Sequence, residues 1–222
     1  MISAVIFDMD GVLIDSEPLH KQIFDSFSQE LGFSLSQDEY KRLIGVSSIK
    51  QWRLMCKRFK LPGTAEELSK EKMSRYKHHL KIGDKSVRAV PGAVELISAI
   101  KSAGIPYAIA SSNDREVIDY SLRSIKLENE FDISVAGDEV ENCKPAPDVY
   151  LKAARLLNTD PEGCIAIEDS TNGVTAAKTA KMCCVGFVNR HSPGQNLTAA
   201  DLQVTSLFHV NLPSLKRLAF NR

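Results

Sequence analysis

Two aspartates two residues apart, Asp8 and Asp10, follow the apolar run Ala4-Val5-Ile6-Phe7 and precede Gly11. Residues i and i+2 of an extended chain point to the same side, so both carboxylates can face one site. Carboxylates that close repel, and one pKa rises unless a cation neutralises the pair. One of them can then act as nucleophile or metal ligand while its neighbour carries a proton. Three further polar clusters share this setting. Ser111 follows the apolar run that closes at Ala110, Lys144 lies in Cys143-Lys144-Pro145-Ala146-Pro147, and Glu168-Asp169 follows Cys164-Ile165-Ala166-Ile167. A hydroxyl with amides near a helix start suits a phosphate. A lysine in a loop stiffened by two prolines offers positive charge of fixed direction. Two more carboxylates offer hard oxygen ligands, which with an incoming phosphate make a Mg²⁺ site. Each cluster alone is commonplace: a solvated turn, a cap, a surface lysine, an acidic loop. Four of them in order, each at a strand end or in the loop that follows one, are not.

The elements that must hold these groups can be traced from periodicity. Four consecutive apolar residues at Ala4–Phe7 predict a buried strand. Leu19, Ile23, Phe24, Phe27 and Leu31 recur at the helical period after the candidate N-caps Asp15 and Ser16 and the first-turn Pro18. Gly32 stops that helix. Shorter helices are predicted from Ser36 to Leu43, ending at Gly45, and from Ile49 to Phe59, and Thr64 with Glu67 forms a capping box that opens a fourth reaching about Leu80. Four helices without a strand between them predict a separate helical module. The pattern then alternates. Helices are expected at Ala93–Ala103, Asp114–Ile125, Pro147–Leu157 and Thr171–Ala180, with strands at Pro106–Ala110, Phe131–Val135, Cys164–Ile167 and Met182–Val188. Leu202–Thr205 reads as an edge strand and Pro213–Phe220 as a last helix. Strand–helix alternation predicts an α/β fold with a Rossmann-like parallel sheet built from right-handed crossovers. Ligands in such sheets bind beyond the carboxyl ends of the strands, where strand order reverses.

Composition narrows the function classes. Lys and Arg number 28, as do Asp and Glu, giving a formal net charge of zero and a pI near 7.0. No whole-chain basic footprint for nucleic acid exists. The charges are segregated, because residues 41–90 hold fourteen Lys or Arg against four Asp or Glu, which favours a surface that attracts anions. The five cysteines form no C-x-x-C; Cys164, Cys183 and Cys184 sit in apolar runs, and Cys56 is assigned no role. The first residues lack a basic segment followed by an apolar one, and no apolar stretch approaches the ~18 residues of a membrane span. A soluble, cytoplasmic monomer is expected, without nucleic-acid or membrane partners.

Asp8-Met9-Asp10-Gly11-Val12, Ala110-Ser111-Ser112, Cys143-Lys144-Pro145 and Glu168-Asp169-Ser170 match, in order, the four motifs of the haloacid dehalogenase superfamily. The chain resembles the phosphohydrolases of its β-phosphoglucomutase-like branch, and the helical module falls where that branch inserts its cap. The resemblance implies a core of residues 1–15 and 84–222 and an inserted α-helical cap of residues 16–83. It implies that Asp8 is the nucleophile accepting the phosphoryl group and Asp10 the general acid and then base. Ser111 and Lys144 would hold phosphoryl oxygens. Mg²⁺ would be bound by Asp8, the Asp10 main-chain carbonyl and Asp169, with Glu168 in contact or just behind. Residue types separate relatives with other chemistry. Dehalogenases lack an aspartate two residues after the nucleophile, and receiver domains meet their acidic pair before it. No G-x-G-x-x-G follows the first strand, which argues against a dinucleotide fold. A non-catalytic phosphate-binding module would be expected to have lost one of these side chains, and none is missing.

The expected activity is Mg²⁺-dependent hydrolysis of a small phosphorylated metabolite, a sugar or polyol monophosphate, with a β-phosphoglucomutase-type phosphomutase as the alternative. In the mutases of this branch the cap loop corresponding to Gly45-Val46-Ser47 continues with an arginine that grips a second phosphate; here that position is Ser48. Arg53, Lys77 or His78 could substitute in space. Ser16, His20, Ser47, Ser48, Ser112 and Asn113 are the candidate substrate-binding residues. His20 lies one helical turn after Ser16, and on an amphipathic helix it could equally be a packing residue.

Overall fold

In the computed structural model, which describes residues 2–44, 46–84 and 86–220, the apolar run Ala4–Phe7 forms strand β1 at the centre of a six-stranded parallel sheet. β4 (Tyr107–Ala110) lies on one side of β1 and β6 (Cys164–Glu168) on the other, and β5 (Ser134–Val135), β7 (Cys183–Phe187) and β8 (Leu202–Val204) extend the sheet to the order β5-β4-β1-β6-β7-β8. The chain builds outward from β1 in one direction and then returns to build in the other. The reversal point, where a crevice opens in such sheets, is therefore at β1 itself.

Period-two alternation along β1 serves two cores. Val5 and Phe7 pack with Ile165 and Ile167 on one face, while Ala4 and Ile6 pack with Ala108, Ala110 and Ala166 on the other. Five helices cover the sheet or its edge: α5 (Ala93–Ser102), α6 (Arg115–Ser124), α7 (Asp148–Leu156), α8 (Thr171–Thr179) and α9 (Leu212–Phe220). The α/β parallel-sheet expectation is borne out. The strand expected from Phe131 shrinks to Ser134–Val135, because Phe131 turns inward and meets Phe7 and Tyr107 edge to face at 6.1 and 5.4 Å.

Helices α1 (Glu17–Glu30), α2 (Gln37–Lys41), α3 (Ser48–Phe59) and α4 (Ala65–Lys81) form the helical module. They have a core of their own, in which fully buried Trp52 touches Phe24, Phe27 and Phe33. Cys56 packs partly buried against this cluster. The Thr64–Glu67 box is formed reciprocally: Thr64 N–H donates to Glu67 Oε2 at 2.8 Å and Glu67 N–H to Thr64 Oγ1 at 3.2 Å. Gly45, on which the second helix stop and the start of the cap loop were placed, lies outside the described residues. A feature without sequence signal is the two-residue antiparallel ribbon of β2 (Ile14–Asp15) and β3 (Arg88–Ala89), through which the chain leaves the sheet and returns. Strands this short are below any periodicity. Where α4 meets α6, Lys77 bridges Asp114 and Glu116 at 2.9 and 3.0 Å.

Candidate active site

Each cluster reaches the site through its strand. β1 delivers Asp8 and Asp10, and β4 delivers Ser111, whose N–H is tied to the Val135 carbonyl at 3.0 Å. The loop after β5 delivers Lys144, through a cis Lys144–Pro145 peptide, and β6 delivers Glu168 and Asp169. Asp8, Asp10, Ser111, Lys144 and Asp169 line one cavity of about 590 Å³ at the carboxyl ends of the strands, together with Ser16, His20, Ser112 and Asn113 from the candidate set. Glu168 lies beneath its floor, 0% exposed.

The lysine is the hub. Its Nζ donates to Asp8 Oδ1 at 2.5 Å, to Glu168 Oε1 at 2.6 Å and to the Ala110 carbonyl at 2.9 Å. Burial alone would lower its pKa, but Asp8 and Glu168 outweigh that and hold it above the ordinary value. The second Glu168 oxygen accepts from the Asp169 and Ser170 amides at 3.1 and 3.2 Å and from Ser170 Oγ at 3.0 Å. Two glycines make this close approach possible. A Cβ on Gly173 would stand 1.7 Å from Glu168 Oε1, and one on Gly11, whose φ is +79°, would stand 2.0 Å from Asp169 Oδ2. Neither position tolerates a side chain without displacing a carboxylate.

Three carboxylates, Asp8, Glu168 and Asp169, have oxygens within 4.8 Å of one another. One lysine leaves that cluster two charges short of neutrality, and the strain shows in proton affinity. Asp8 is pushed well above the usual carboxylate range by burial and then by Glu168 and Asp169, against the pull of Lys144. Asp169 is pushed up to about 8, by burial first and then by Glu168. A hard divalent cation would relieve both, and oxygen donors are what Mg²⁺ takes. The residues present fit that ion.

Asp10 stands apart from this cluster. Its Oδ1 accepts from Ser16 Oγ at 2.6 Å and its Oδ2 from Asn113 Nδ2. Burial nevertheless raises its pKa, against both hydrogen bonds and Lys144. This is the environment of a group that can hold and release a proton.

Several candidates take other positions than the sequence suggested. Ser16 is the residue before α1 but makes no cap hydrogen bond, since its hydroxyl is spent on Asp10. Ser111 lies four residues before α6, and its Oγ accepts from the Asn113 amide at 3.1 Å. Ser47 is exposed and lines none of the described cavities. Ser48 lines a second cavity of about 240 Å³ under the helical module, where its Oγ accepts from Ser69 Oγ at 2.8 Å. Arg53 turns outward to Glu66 and Lys77 is occupied by α6, while His78 is exposed. His20 lines both cavities, stacked on Tyr76 at 4.1 Å, and its Nδ1 has no partner among the described residues. Burial, with Lys72 nearby, holds it well below the usual histidine pKa.

Sequence reasoning missed Lys72 and Asn189. Lys72 lines the second cavity at 8% exposure and makes no hydrogen bond or ion pair among the described residues. Burial lowers its pKa, with Glu17 opposing. The signal was there. Leu68, Lys72, Tyr76 and Leu80 are spaced by four, so this lysine occupies a core position of α4. Asn189 follows β7 and donates from Nδ2 to the Gly11 carbonyl at 3.1 Å and to Asp169 Oδ2 at 3.4 Å, fixing two strand ends against each other.

Residues 5–187 match the model of the family described as haloacid dehalogenase-like hydrolase. The chain belongs to that family, in its phosphatase and β-phosphoglucomutase-like branch. The expectation of a phosphomonoester hydrolase is borne out at that level. It is 34% identical over 200 residues to the phosphorylated carbohydrates phosphatase of Thermotoga maritima, covering 90% of this chain and 91% of that one. Among solved structures, a mutant of CbbY from Rhodobacter sphaeroides in complex with xylulose-(1,5)bisphosphate superposes with a TM-score of 0.81 at 27% identity, over 97% of this chain and 99% of that one. A β-phosphoglucomutase-like structure from Thermotoga maritima superposes with a TM-score of 0.79 at 32% identity, over 97% and 99% of the two chains. The chain spans only 18% of another relative, the chloroplastic protein SUPPRESSOR OF QUENCHING 1 of Arabidopsis thaliana, to which it is 35% identical over 185 residues.

Proposed function

We propose that this protein is a Mg²⁺-dependent phosphatase of small phosphorylated sugars or polyols that works through an aspartyl-phosphate intermediate. The observation that carries this reading is the buried lysine shared between Asp8 and Glu168 at the floor of the strand-end cavity. A carboxylate beside a fixed cation supports this reading, because an incoming phosphoryl group would meet both. Asp8 Oδ2 has no hydrogen-bond partner among the described residues. As that oxygen bonds to phosphorus, the bond to the leaving oxygen breaks and Asp10 gives that oxygen its proton. Asp10, now a carboxylate, takes a proton from water as the water oxygen attacks phosphorus. The bond to Asp8 breaks and inorganic phosphate leaves. Lys144 and Ser111 orient the phosphoryl oxygens. Asp8, the Asp10 carbonyl and Asp169 would hold Mg²⁺, with Glu168 behind them. When bound, the ion offsets charge on the equatorial oxygens.

In this reading residues 16–83 are a cap that closes over the cavity, pivoting on the β2–β3 ribbon, and residues 84–222 with 1–15 are the core. The rest of the substrate reaches the second cavity, where Lys72 replaces the cation that Ser48 does not supply. Lys72 also supports the second reading: a buried ammonium without an ion pair among the described residues could hold the distal phosphate of a bisphosphate, as a phosphomutase requires. A monomer in a cytoplasmic setting is part of the proposal; five free cysteines support the reducing compartment. The test is product analysis with Mg²⁺ across sugar and polyol monophosphates, and with β-glucose 1-phosphate plus a trace of the 1,6-bisphosphate. Inorganic phosphate is the expected product; glucose 6-phosphate accumulating faster than phosphate would establish the mutase instead.

A further inference from the structure

A buried tyrosine is ordinarily core filling whose hydroxyl finds some acceptor. Tyr150, in the first turn of α7, is 0% exposed and packs in the core beside Ala4 and Ile6, but its polar end reaches the site. Its hydroxyl donates to Glu168 Oε1 at 2.8 Å, the oxygen that also takes Lys144. Its ring lies beneath the lysine, with Nζ 4.9 Å from the centroid, within range of a cation–π contact. One side chain thus touches both partners of the ion pair on which the site is built.

The consequence follows from how Glu168 is held. Backbone amides and Ser170 fix its Oε2, so that edge is set by the β6–α8 turn. The Oε1 edge has two donors among the described residues, Lys144 and Tyr150. With the phenol gone, Lys144 would be the sole partner of Oε1 and would be drawn toward Glu168 at the expense of Asp8. The carboxylate would also lose a constraint on its orientation beside the Asp8 and Asp169 oxygens. We propose that Tyr150 is a positioning residue for this site: its hydroxyl orients Glu168 behind the metal position, and its ring carries the Lys144 ammonium toward Asp8. It acts through these two residues and does not touch substrate.

The inference rests on the Mg²⁺-phosphatase reading, and calorimetric titration of substrate-free protein with Mg²⁺ separates the two. Tyr150→Phe keeps the ring and removes only the hydroxyl. Supporting partners of metal ligands typically contribute 10–100-fold to affinity or activity. Tyr150 acts one step further out, through Glu168, so the Mg²⁺ Kd of Tyr150→Phe should rise about fivefold and kcat/KM should fall about fivefold. Tyr150→Leu, which also removes the ring, should lower kcat/KM a further several-fold at saturating Mg²⁺ with no further change in Kd. Thermal melts establish that each variant is folded. Wild-type Mg²⁺ binding with Tyr150→Phe within twofold in both Kd and kcat/KM would overturn the inference alone, leaving the phenol as packing. Failure of the wild type to bind Mg²⁺ would overturn the metal-site reading and the inference with it.

Discussion

The two cavities that meet at His20 are built on opposite principles. In the strand-end cavity the polar groups are tied to one another: Lys144 to Asp8, Glu168 and a carbonyl, and Asp10 to Ser16 and Asn113, with a surplus of negative charge left for a cation. Its groups hang from the ends of strands whose register is set by the sheet, so their geometry precedes the ligand. Under the helical module the polar groups are left open. Lys72 faces the same cavity as Glu17 without a hydrogen bond or ion pair among the described residues, and His20 Nδ1 and Gln51 Oε1 have no partner there. An unsatisfied buried polar group costs about 1–3 kcal/mol, which a hydrogen bond from a ligand in this cavity would recover. In the proposed function the first cavity carries the chemistry and the second the choice of substrate.

The largest effect should come from the first cavity. Asp8→Asn should lower turnover on the order of a thousandfold or more for every substrate, because an amide cannot accept the phosphoryl group. The melting temperature should be retained or rise, since a buried, crowded carboxylate is lost. Steady-state rates beside a thermal melt check both, and near-normal phosphate release by folded protein would break the assignment.

A smaller effect, selective by substrate, should come from the second cavity. Lys72→Met removes the ammonium while keeping length and apolar contact. It should lower kcat/KM about ten- to a hundredfold for a sugar phosphate or bisphosphate that reaches the cap. It should barely affect p-nitrophenyl phosphate, which lacks a distal polar group. Equal losses on both substrates would erase the division between cavities.

The smallest effect concerns pH. His20 has a native pKa well below 6.5 because of burial and then Lys72. The unfolded chain therefore binds a proton near pH 6.5 that the native protein refuses. Stability is complete above that value and is lost as pH falls below it, at about 1.4 kcal/mol per pH unit until the native pKa is reached. Denaturation midpoints at pH 7.0 and 5.5 should show this loss, and His20→Phe should show a correspondingly smaller one. The same slope in both proteins would remove His20 from the account.

The same contrast governs what could be read from the chain alone. Asp8, Asp10, Lys144, Glu168 and Asp169 were legible because each sits at the end of a buried strand or in the loop that follows one, where local pattern fixes position. The Thr64–Glu67 box was legible for the same reason, being local. Lys72 was not, because its meaning depends on which face of α4 turns to the core. Spacing by four from Leu68 to Leu80 marks that face only once the charge is accepted as buried. Asn189 acts across 178 residues and Tyr150 across 18, from α7 to β6, through contacts that no local pattern encodes. Ser16 shows the limit most sharply: its local role as a cap gave way to a tertiary hydrogen bond with Asp10. The β2–β3 ribbon, two residues on each side, left no period to detect.

The central claim is that Asp8 carries the phosphoryl group, and it can be tested on the covalent bond itself. Enzyme turning over a sugar phosphate with Mg²⁺ would be quenched rapidly in borohydride, which reduces an acyl phosphate to the alcohol, and the digest read by mass spectrometry. The account predicts reduction to homoserine at Asp8 and at no other carboxylate, absent when substrate is omitted. Asp8 recovered unreduced from enzyme shown to be releasing phosphate, or reduction at Asp10 or Asp169 instead, would contradict it.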